Sequence, residues 1–351
     1  MLQAQYISRP LNFIRPAGTS RGVLLHKPCW YIILSSDDGL SGVGEVSLIP
    51  GLSIEDPGEM EIRLDHICKL ISREEMNPAQ YLPSLPGVQF ALETALKDLE
   101  NGGQRILFPS AFTEGRSGIP TNGLIWMGDR EFMMEQIASK VQSGFRVLKM
   151  KVGALDFNEE REVLEKIRSN YGRGELEIRL DANGAWSPKK AKEYMEILSQ
   201  YGIHSIEQPI AAGQVKAMAE LCRSASIPVT LDEELIGITG VKAQGDLLRE
   251  INPRYIILKP GLLGGLSAAE QWIRLADDLS MGWWVTSALE SNIGLSAIAQ
   301  WTASLEVSMP QGLGTGSLYS NNIPSPLEMD GDSLWYRPDH PWDLNEIIPE
   351  L

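Results

Sequence analysis

The stretch FRVLKMKVG, residues 145–153, has the apolar content of a buried parallel strand but carries two lysines. Lys149 and Lys151 are two residues apart, so in a strand both side chains lie on the same face. Two ammonium groups inside a packed sheet would be costly unless that face opens onto a polar site. Taken alone, the stretch indicates either an edge strand with solvated lysines or a central strand whose lysines belong to a functional site.

Apolar strands like this one recur between residues 116 and 318, where they alternate with amphipathic segments typical of helices. One residue near the end of each strand marks the interval: Met127, Lys151, Asp181, Glu207, Asp232, Lys259, Ser287 and Gly314. Successive markers are 24–30 residues apart, which is the length that a strand, a helix and two loops require. Eight such strands predict the α/β class and a (β/α)8-type barrel, a modified TIM barrel, rather than an open doubly wound sheet.

The segments on either side of this repeat predict a second unit. WYIILSSDDGLSGVGEVS, residues 30–47, has the pattern of a hairpin around an Asp-Gly turn, and helices are predicted within residues 54–75 and 86–103. We therefore expect an α+β capping domain over residues 1–115 and the barrel with the active site over residues 116–318. Residues 319–351 lack the barrel period, and we expect them to return to the capping domain.

Composition narrows the class of protein. The net charge of −15 argues against nucleic acid or an anionic membrane as a partner, because no cationic excess is present to release counterions. The three cysteines form no CxxC pair, which is typical of free thiols in a reducing compartment. No signal-peptide core and no run of about 20 apolar residues occurs. We expect a cytoplasmic protein with a small-molecule partner; the sequence does not indicate its oligomeric state.

Polar residues interrupt the barrel strands near their carboxyl ends, where barrel active sites lie. They are Lys149 and Lys151 on the second strand, Asp181 and the following Asn183 on the third, Glu207 on the fourth, Asp232 on the fifth and Lys259 on the sixth. Taken singly, each has an ordinary structural explanation: a solvated edge strand, a helix N-cap or a turn. Their occurrence on five successive strands indicates an active site.

Three of these residues, Asp181, Glu207 and Asp232, are carboxylates that would repel one another in a partly dry pocket unless a cation lies between them. Oxygen ligands without His or Cys favour a hard ion, Mg²⁺ before Mn²⁺ or Ca²⁺. The lysines flank this ion from both sides, and a lysine beside Mg²⁺ and another lysine should have a lowered pKa suited to a base. The predicted chemistry is removal of a proton from a carbon next to a carboxylate, with Mg²⁺ stabilising the enediolate.

Two other classes of function use similar residues. A Schiff-base aldolase would use Lys151 or Lys259 as a nucleophile, but it needs no three-carboxylate cluster. A catalytically inactive barrel that only binds ligands would not need the full set of lysines and carboxylates. The occurrence of three carboxylates together with the lysines on five successive strands disfavours both of these functions.

The motifs KMK, LDANGAW, IEQP, LDE and LKPGLLGG, in this order and spacing, resemble the enolase superfamily in its muconate-lactonising subgroup. The resemblance implies Mg²⁺, with Mn²⁺ as a substitute, bound by Asp181, Glu207 and Asp232. It also implies that Lys151 and Lys259 face the reacting carbon and that Lys149 tunes Lys151. Relatives usually follow the third ligand with Glu-Ser, whereas residues 232–234 read Asp-Glu-Glu; the motif aligns Asp232 with the ligand, and Glu233 is the alternative.

Other segments bear on the reaction within the subgroup. Dipeptide epimerases carry Asp-x-Asp on the eighth strand, whereas residues 312–316 read GLGTG. Gly312 and Gly314 would either offer backbone N–H groups to an anionic substrate arm or simply close the barrel tightly. TSALESNIG, residues 286–294, and AGTSRGVL, residues 17–24, resemble o-succinylbenzoate synthases, the latter as a mobile cap loop. The substrate-binding residues that this resemblance implies are Lys149, Arg179, Asn183, Arg21, Ser287, Glu290, Gly312 and Gly314.

This resemblance implies a carbon–oxygen lyase of menaquinone or phylloquinone biosynthesis. The reaction would be the syn-dehydration of 2-succinyl-6-hydroxy-2,4-cyclohexadiene-1-carboxylate to 2-succinylbenzoate. Lys151 would remove the α-proton, and Lys259 would stay cationic on the opposite face. The alternative is an N-succinyl amino acid racemase or another member of the subgroup, such as a dipeptide epimerase.

Overall fold

The N-terminal part of the chain forms an antiparallel sheet covered by two helices. The structure is a computed structural model that describes residues 2–19, 22–305, 307 and 309–348. The first strands are β1 (Leu2–Ser8), β2 (Leu11–Thr19), β3 (Gly22–Lys27), β4 (Cys29–Ser36) and β5 (Ser41–Ser47), followed by α1 (Met60–Ser72) and α2 (Pro86–Glu100). The sheet has the order β1-β4-β5, while β2 and β3 pair as a separate antiparallel hairpin, the cap hairpin.

The predicted β4–β5 hairpin is present, with Gly39 at φ +83° in its turn. β5 contains Gly44, where a Cβ atom would lie only 1.8 Å from the Ala91 carbonyl oxygen of α2. The missing side chain therefore lets α2 lie directly on the sheet. Burial of Ile32, Leu34 and neighbouring residues between the sheet and both helices forms the core of this capping unit.

A parallel sheet follows, in which seven strands of the described residues are ordered as in the sequence. The short β6 (Ile119–Pro120) precedes them; the seven are β7 (Gly123–Ile125), β8 (Val147–Lys151), β9 (Glu177–Asp181), β10 (Ser205–Glu207), β11 (Val229–Leu231), β12 (Tyr255–Leu258) and β13 (Gly282–Val285). Helices alternate with them: α3 (Arg130–Gln142), α4 (Phe157–Asn170), α5 (Pro188–Leu198), α6 (Val215–Ser224), α7 (Val241–Ile251), α8 (Pro260–Leu263), α9 (Leu266–Asp278) and α10 (Asn292–Ser304). This alternation confirms the predicted (β/α)8-type barrel with its capping domain.

The eighth position of the barrel is occupied without a full strand. Gln311 forms a parallel bridge to Thr121, and Gly312 forms one to Thr286. A Cβ atom on Gly312 would lie 2.5 Å from the Thr286 Cγ2 atom. The glycine therefore permits the close contact through which residues 311–312 join β13 to the start of β7.

The end of the described chain returns to the first sheet. Strands β14 (Leu327–Asp330) and β15 (Ser333–Tyr336) pair with each other, and β15 also pairs with β6. Tyr319, Ile323 and Ile347 are buried in one cluster with Leu11, Cys29, Tyr31, Ile33, Val43 and Ile293. The three parts of the chain thus share a core, and none of the helices in the described residues is long and apolar enough to cross a membrane.

Candidate active site

The ionisable residues predicted from the strand ends meet at one edge of the barrel. Parallel pairing places Lys151 beside Asp181, and Asp181 beside Glu207. Asp232 follows β11 directly and Lys259 follows β12 directly. The apolar residues between them face the helices, so the charged side chains share the mouth of the barrel.

Each lysine is paired with an acidic or amide group in this cluster. Lys149 Nζ lies 2.6 Å from Glu207 Oε2 and 3.0 Å from Asp181 Oδ2. Lys151 Nζ donates to Asn183 Oδ1 at 2.6 Å and lies 3.4 Å from Asp181 Oδ2. Lys259 Nζ pairs with Asp232 Oδ2. Lys151 and Lys259 therefore contact opposite sides of one carboxylate cluster.

Burial and mutual charge set the protonation of the cluster. Burial opposes the charge of Lys149, but the Asp181 and Glu207 carboxylates outweigh it and raise its pKa. Burial likewise opposes the charge of Lys259, whose pKa is raised by Asp232 and Glu207. Burial and the neighbouring Asp181 raise the pKa of Glu207 well above its usual value. The expected lowering of a lysine pKa is thus not seen for Lys149 and Lys259 when only carboxylates surround them.

The donor set suits a hard divalent cation. Asp181, Glu207 and Asp232 are 1%, 2% and 2% exposed, and their oxygens are the ligands that Mg²⁺ prefers. In the part of the chain that the structure describes, no three His, Cys, Asp or Glu side chains are already gathered as a metal site. Lys149 Nζ instead bridges Asp181 and Glu207. The residues fit the ion chemically: burial and then repulsion from Asp181 raise the pKa of Glu207, and a cation would relieve that repulsion.

The two carboxylates that follow Asp232 have different surroundings. Glu233 Oε1 accepts from Asn183 Nδ2 at 3.1 Å, and Asn183 in turn holds Lys151. Glu234 accepts from the backbone of Gly213 at 2.9 Å and from the Gln208 amide at 3.1 Å. Glu233 therefore borders the site, whereas Glu234 lies behind it and is hydrogen-bonded to Gln208 and Gly213, in the segment after β10.

A cavity of about 230 Å³ lies over these residues. It is lined by Lys149, Lys151, Asp181, Asn183, Glu233, Lys259, Ser287, Gly312 and Gly314, all of them singled out in the sequence. Apolar residues complete the wall: Leu24 of the cap hairpin, Ile49, Pro50 and Leu52 after β5, Leu124 on β7 and Trp126 directly after it. Asn122, Thr286, Ala288, Leu289 and Thr315 also line it. Leu24, Ala288 and Leu289 belong to segments singled out in the sequence, and Trp126 precedes the strand-end marker Met127, which is the signal that could have found it.

Two of the predicted substrate-binding residues that the structure describes, Arg179 and Glu290, do not line the cavity. Arg179 lies one layer deeper, where it donates to the Pro310 carbonyl oxygen at 2.9 Å and lies over the Trp284 ring. Glu290 is fully buried behind the wall and accepts from the Ala288 N–H at 2.7 Å. Arg21 lies outside the described residues.

Gly312 lines the cavity but does not offer its N–H group to a ligand. That N–H donates to the Val285 carbonyl oxygen at 2.8 Å, and the Gly312 carbonyl accepts from Ser287 at 3.1 Å. Of the two alternatives for this glycine, these hydrogen bonds favour the tight closure of the barrel. Gly314 has no such close neighbour, with Thr121 Cγ2 as the nearest atom to a Cβ at 3.4 Å.

Comparisons with known proteins agree with this geometry. Residues 133–334 match the family model described as enolase C-terminal domain-like. An o-succinylbenzoate synthase from Desulfotalea psychrophila is 46% identical over 364 aligned residues, which cover 95% of this chain and 98% of that protein. The crystal structure of MenC from the same organism superposes with a TM-score of 0.84, at 42% identity, over 95% of this chain and 99% of that one.

More distant relatives share the fold. An L-amino acid-D/L-Glu epimerase from Francisella philomiragia is 27% identical over 67% of this chain and 66% of that protein. The substrate-liganded L-Ala-D/L-Glu epimerase from Bacillus subtilis superposes with a TM-score of 0.81 at 20% identity, over 97% of each chain. The chain therefore belongs to the enolase superfamily, in its muconate-lactonising subgroup, and is similar to o-succinylbenzoate synthase along nearly its whole length.

Proposed function

We propose that this protein is an o-succinylbenzoate synthase, a lyase that dehydrates 2-succinyl-6-hydroxy-2,4-cyclohexadiene-1-carboxylate to 2-succinylbenzoate in menaquinone or phylloquinone biosynthesis. The observation that carries the proposal is the placement of Lys151 and Lys259 on opposite sides of one buried carboxylate cluster. Similarity to o-succinylbenzoate synthase over 95% of the chain supports this choice within the superfamily.

Lys151 is the proposed base. In its neutral form it removes the proton from the carbon that bears the substrate carboxylate, and it then returns this proton to the departing hydroxyl group on the same face. Asn183 Oδ1, 2.6 Å from Lys151 Nζ, fixes the direction of the amine. Loss of water leaves an aromatic ring, so the product itself favours the reaction.

Lys259 is the proposed electrostatic partner on the other face. Burial disfavours its charge, but Asp232 and Glu207 raise its pKa, so it stays cationic at neutral pH. A fixed cation in a partly dry site stabilises negative charge that develops on the substrate during proton removal. Dehydration needs only that charge on this face, since no second proton transfer occurs there.

Enzymes of the enolase superfamily typically use Mg²⁺, and we propose that Asp181, Glu207 and Asp232 would hold it in this protein. When bound, the ion supplies positive charge that makes the proton next to the substrate carboxylate more acidic. Lys149, paired with two of these carboxylates, keeps the cluster near neutrality and is the proposed tuning residue for Lys151.

The rest of the cavity wall suits the cyclohexadiene substrate, with its ring and its succinyl arm, better than a dipeptide. Leu24, Ile49, Leu52, Leu124 and Trp126 give apolar surface, which favours a cyclohexadiene ring. The segment GLGTG contributes no carboxylate that could pair with a substrate ammonium group. Ser287 and Gly314 border the same cavity and are proposed to face the succinyl arm.

An N-succinyl amino acid racemase is the second candidate, because Lys151 and Lys259 would both reach one α-carbon from opposite faces. We further propose that the protein acts in the cytoplasm on a small-molecule carboxylate, without nucleic acid or a membrane as partner. The described free thiols, with Cys29 and Cys68 buried, suit a reducing compartment.

The test uses the purified protein with Mg²⁺ and each substrate in turn. We expect formation of the aromatic product from the cyclohexadiene substrate, followed by its ultraviolet absorbance, with loss of the activity on chelation and recovery with Mg²⁺. Faster racemisation of N-succinyl amino acids than dehydration would favour the second candidate. Full activity in metal-free protein would refute the Mg²⁺ site.

A further inference from the structure

A buried group of charges joins the capping domain to the wall of the cavity. Lys27 at the end of the cap hairpin, Glu45 on β5 and Glu290 after β13 are each 0% exposed. Ser291, also fully buried, lies beside them at the start of α10. We call these four residues the interdomain cluster. None of them lines the cavity.

Glu45 reaches from the capping sheet to the first turn of a barrel helix. Its carboxylate accepts from the Ser291 N–H at 2.8 Å, the Ser291 hydroxyl at 2.5 Å and the Gly294 N–H at 2.8 Å. A carboxylate at a helix N-terminus satisfies free N–H groups and complements the helix dipole. The start of α10 is therefore fixed by a residue of the other domain.

Glu290 and Lys27 extend this link to the loop and to the cap hairpin. Glu290 Oε2 accepts from the Ala288 N–H at 2.7 Å, across the turn that carries Ala288 and Leu289 into the cavity wall. Lys27 Nζ donates to Ser47 Oγ. Burial lowers the pKa of Lys27, while the carboxylates of Glu290 and Glu45 act in the opposite direction. The Lys27 ammonium group is thus buried against Ser47, in the electrostatic field of both carboxylates.

The loop held in this way has an unusual backbone. Leu289 has φ +62°, a left-handed conformation that a non-glycine residue keeps only where its surroundings hold it. The Leu289 carbonyl accepts from the Tyr319 hydroxyl at 2.7 Å, and its N–H donates to Ser287 Oγ at 2.9 Å. Ser287 and Leu289 both line the cavity, so a change in the backbone conformation of this loop would move two residues of the cavity wall.

We propose that Lys27, Glu45 and Glu290 are positioning residues for substrate binding. They hold residues 286–291 and the cap hairpin in the relative position in which the two segments form two sides of the cavity wall. The inference rests on the proposed function, because it assigns these two sides to the succinyl arm and ring of that substrate. The cluster acts through Leu24 on one side and through Ser287 and Leu289 on the other.

The chain offers a matched control. Glu93 of α2 also reaches from the capping domain to the start of a barrel helix, where it accepts from the Leu266 N–H at 2.6 Å and the Ser267 N–H at 3.0 Å. It caps α9 as Glu45 caps α10, but neither Glu93 nor its partners line the cavity. A purely structural role would make Glu45→Gln and Glu93→Gln behave alike.

The experiment compares Glu45→Gln, Lys27→Met and Glu93→Gln in the full-length protein. We expect Glu45→Gln and Lys27→Met to raise KM about tenfold, which corresponds to about 1.4 kcal/mol of lost substrate binding. The kcat should stay within about threefold and Mg²⁺ affinity unchanged, because Lys151, Lys259 and the carboxylates are not touched. Glu93→Gln should lower Tm about as much as Glu45→Gln does, but it should leave KM unchanged.

Two further variants complete the test: one replaces Glu45→Gln if that variant does not fold, and the other tests the balance of buried charges. Ser291→Ala removes one hydrogen bond to Glu45 and should show a smaller rise in KM if Glu45→Gln does not fold. Adding Glu290→Gln to Lys27→Met removes a buried negative charge but keeps a side-chain oxygen that can accept from the Ala288 N–H, so KM should move back toward the wild-type value. Failure of this rescue, or equal KM effects in Glu45→Gln and Glu93→Gln, would overturn the inference.

Hydrogen exchange separates this inference from the proposed function. Peptides over residues 286–294 should exchange faster in Glu45→Gln and Lys27→Met, and peptides over residues 265–270 should do so in Glu93→Gln. This readout needs no substrate. If wild-type protein forms no 2-succinylbenzoate, the proposed function fails while exchange still reports on the link. Unchanged exchange over residues 286–294 in both cluster variants would refute the link itself.

Discussion

Lys151 and Lys259 share a cavity but have different partners, and this difference predicts different tolerance to substitution. Lys151→Ala should lower the rate by about 10²–10⁴-fold or more, because a positioned base is lost. Lys259→Arg should keep part of the dehydration rate, since only a cation is needed beside Asp232. The same change should abolish racemisation, which needs a proton donor on each face.

The measurement is exchange of the α-proton in D₂O with each stereoisomer of an N-succinyl amino acid, followed by NMR for wild type and Lys259→Arg. Wild type should exchange both isomers, and the variant only the isomer whose proton faces Lys151. Equal exchange of both isomers by both proteins would contradict the placement of the lysines on opposite faces.

Asp232 and Glu233 are adjacent in sequence but contact different residues, Lys259 and Asn183. Substitutions at the two positions should therefore change Mg²⁺ affinity to different extents. Asp232→Asn should weaken Mg²⁺ binding by more than about 100-fold, since changes to the partners of ligands already cost about 10–100-fold. Glu233→Gln should leave Mg²⁺ affinity within about threefold but lower the rate, because Glu233 holds Asn183, which orients Lys151. Titration calorimetry with Mg²⁺ checks both; the reverse order would make Glu233 the ligand.

Residues could be predicted from the sequence where they contrast with their neighbours. A lysine or carboxylate in an apolar strand stands out, so the charged cluster was recognisable. Ile49 and Leu52 have the same character as core residues, and nothing in the sequence says that they face a cavity, whereas Leu24 ends the segment that the resemblance assigns to the cap loop. Arg179 lies on the same face as Asp181, but two residues along a strand is about 6.6 Å of depth, enough to place it below the site.

At the scale of elements, the loop after β8 is held by a carboxylate from the next helix. Glu160 Oε1 accepts from the N–H groups of Gly153 at 2.6 Å, Ala154 at 3.2 Å and Leu155 at 3.2 Å. Burial raises the pKa of Glu160 to about 7. The loop follows Lys151 directly, so its stability bears on the base.

This pKa predicts a pH dependence of stability. A carboxyl group whose pKa is higher folded than unfolded favours the folded state at low pH, and this contribution is lost as pH rises from about 4.5 to about 7. Glu160→Gln should therefore gain stability relative to wild type over that range, by up to about 3 kcal/mol at about 1.4 kcal/mol per pH unit. Urea unfolding at pH 4.5 and pH 8 measures the difference, and parallel profiles for the two proteins would contradict it.

Elements with a strong period were predictable, and those with an irregular backbone were not. The strands and helices from β7 to β13 follow from alternating apolar patterns, as does the β4–β5 hairpin from its Asp-Gly turn. The segment QGLGTG is predicted as an eighth strand, and the structure has two parallel bridges there, from Gln311 to Thr121 and from Gly312 to Thr286. The resemblance of residues 286–294 to o-succinylbenzoate synthases implies Glu290 as a substrate-binding residue, yet after the turn at Leu289 its side chain is buried behind the cavity wall.

At the scale of the whole molecule, the capping sheet and the C-terminal segment depend on each other. Ile347 is fully buried against the cluster that contains Leu11 and Tyr31. Ile347→Ala should cost about 2–5 kcal/mol in the free energy of unfolding, while Asn345→Ala, on an exposed residue, should stay within about 0.5 kcal/mol. Denaturant unfolding measures both.

A chain that ends at residue 318 loses Tyr319, Ile323 and Ile347 from the same cluster. The summed loss is comparable to the total stability of a typical protein, about 5–15 kcal/mol, so we expect no cooperative unfolding transition. A shortened chain with wild-type stability would show that residues 319–351 do not support the capping domain.

The shared cluster also has a consequence for synthesis on the ribosome. Cys29 and Tyr31 leave the exit tunnel early, but Tyr319 follows roughly 290 residues later. At about 5–20 residues per second, that interval lasts about 15–60 s. Throughout it, the unfinished chain exposes Leu11, Tyr31 and Ile33 to solvent. We therefore expect chaperones that bind apolar segments to hold the nascent chain until its C-terminal segment has been made.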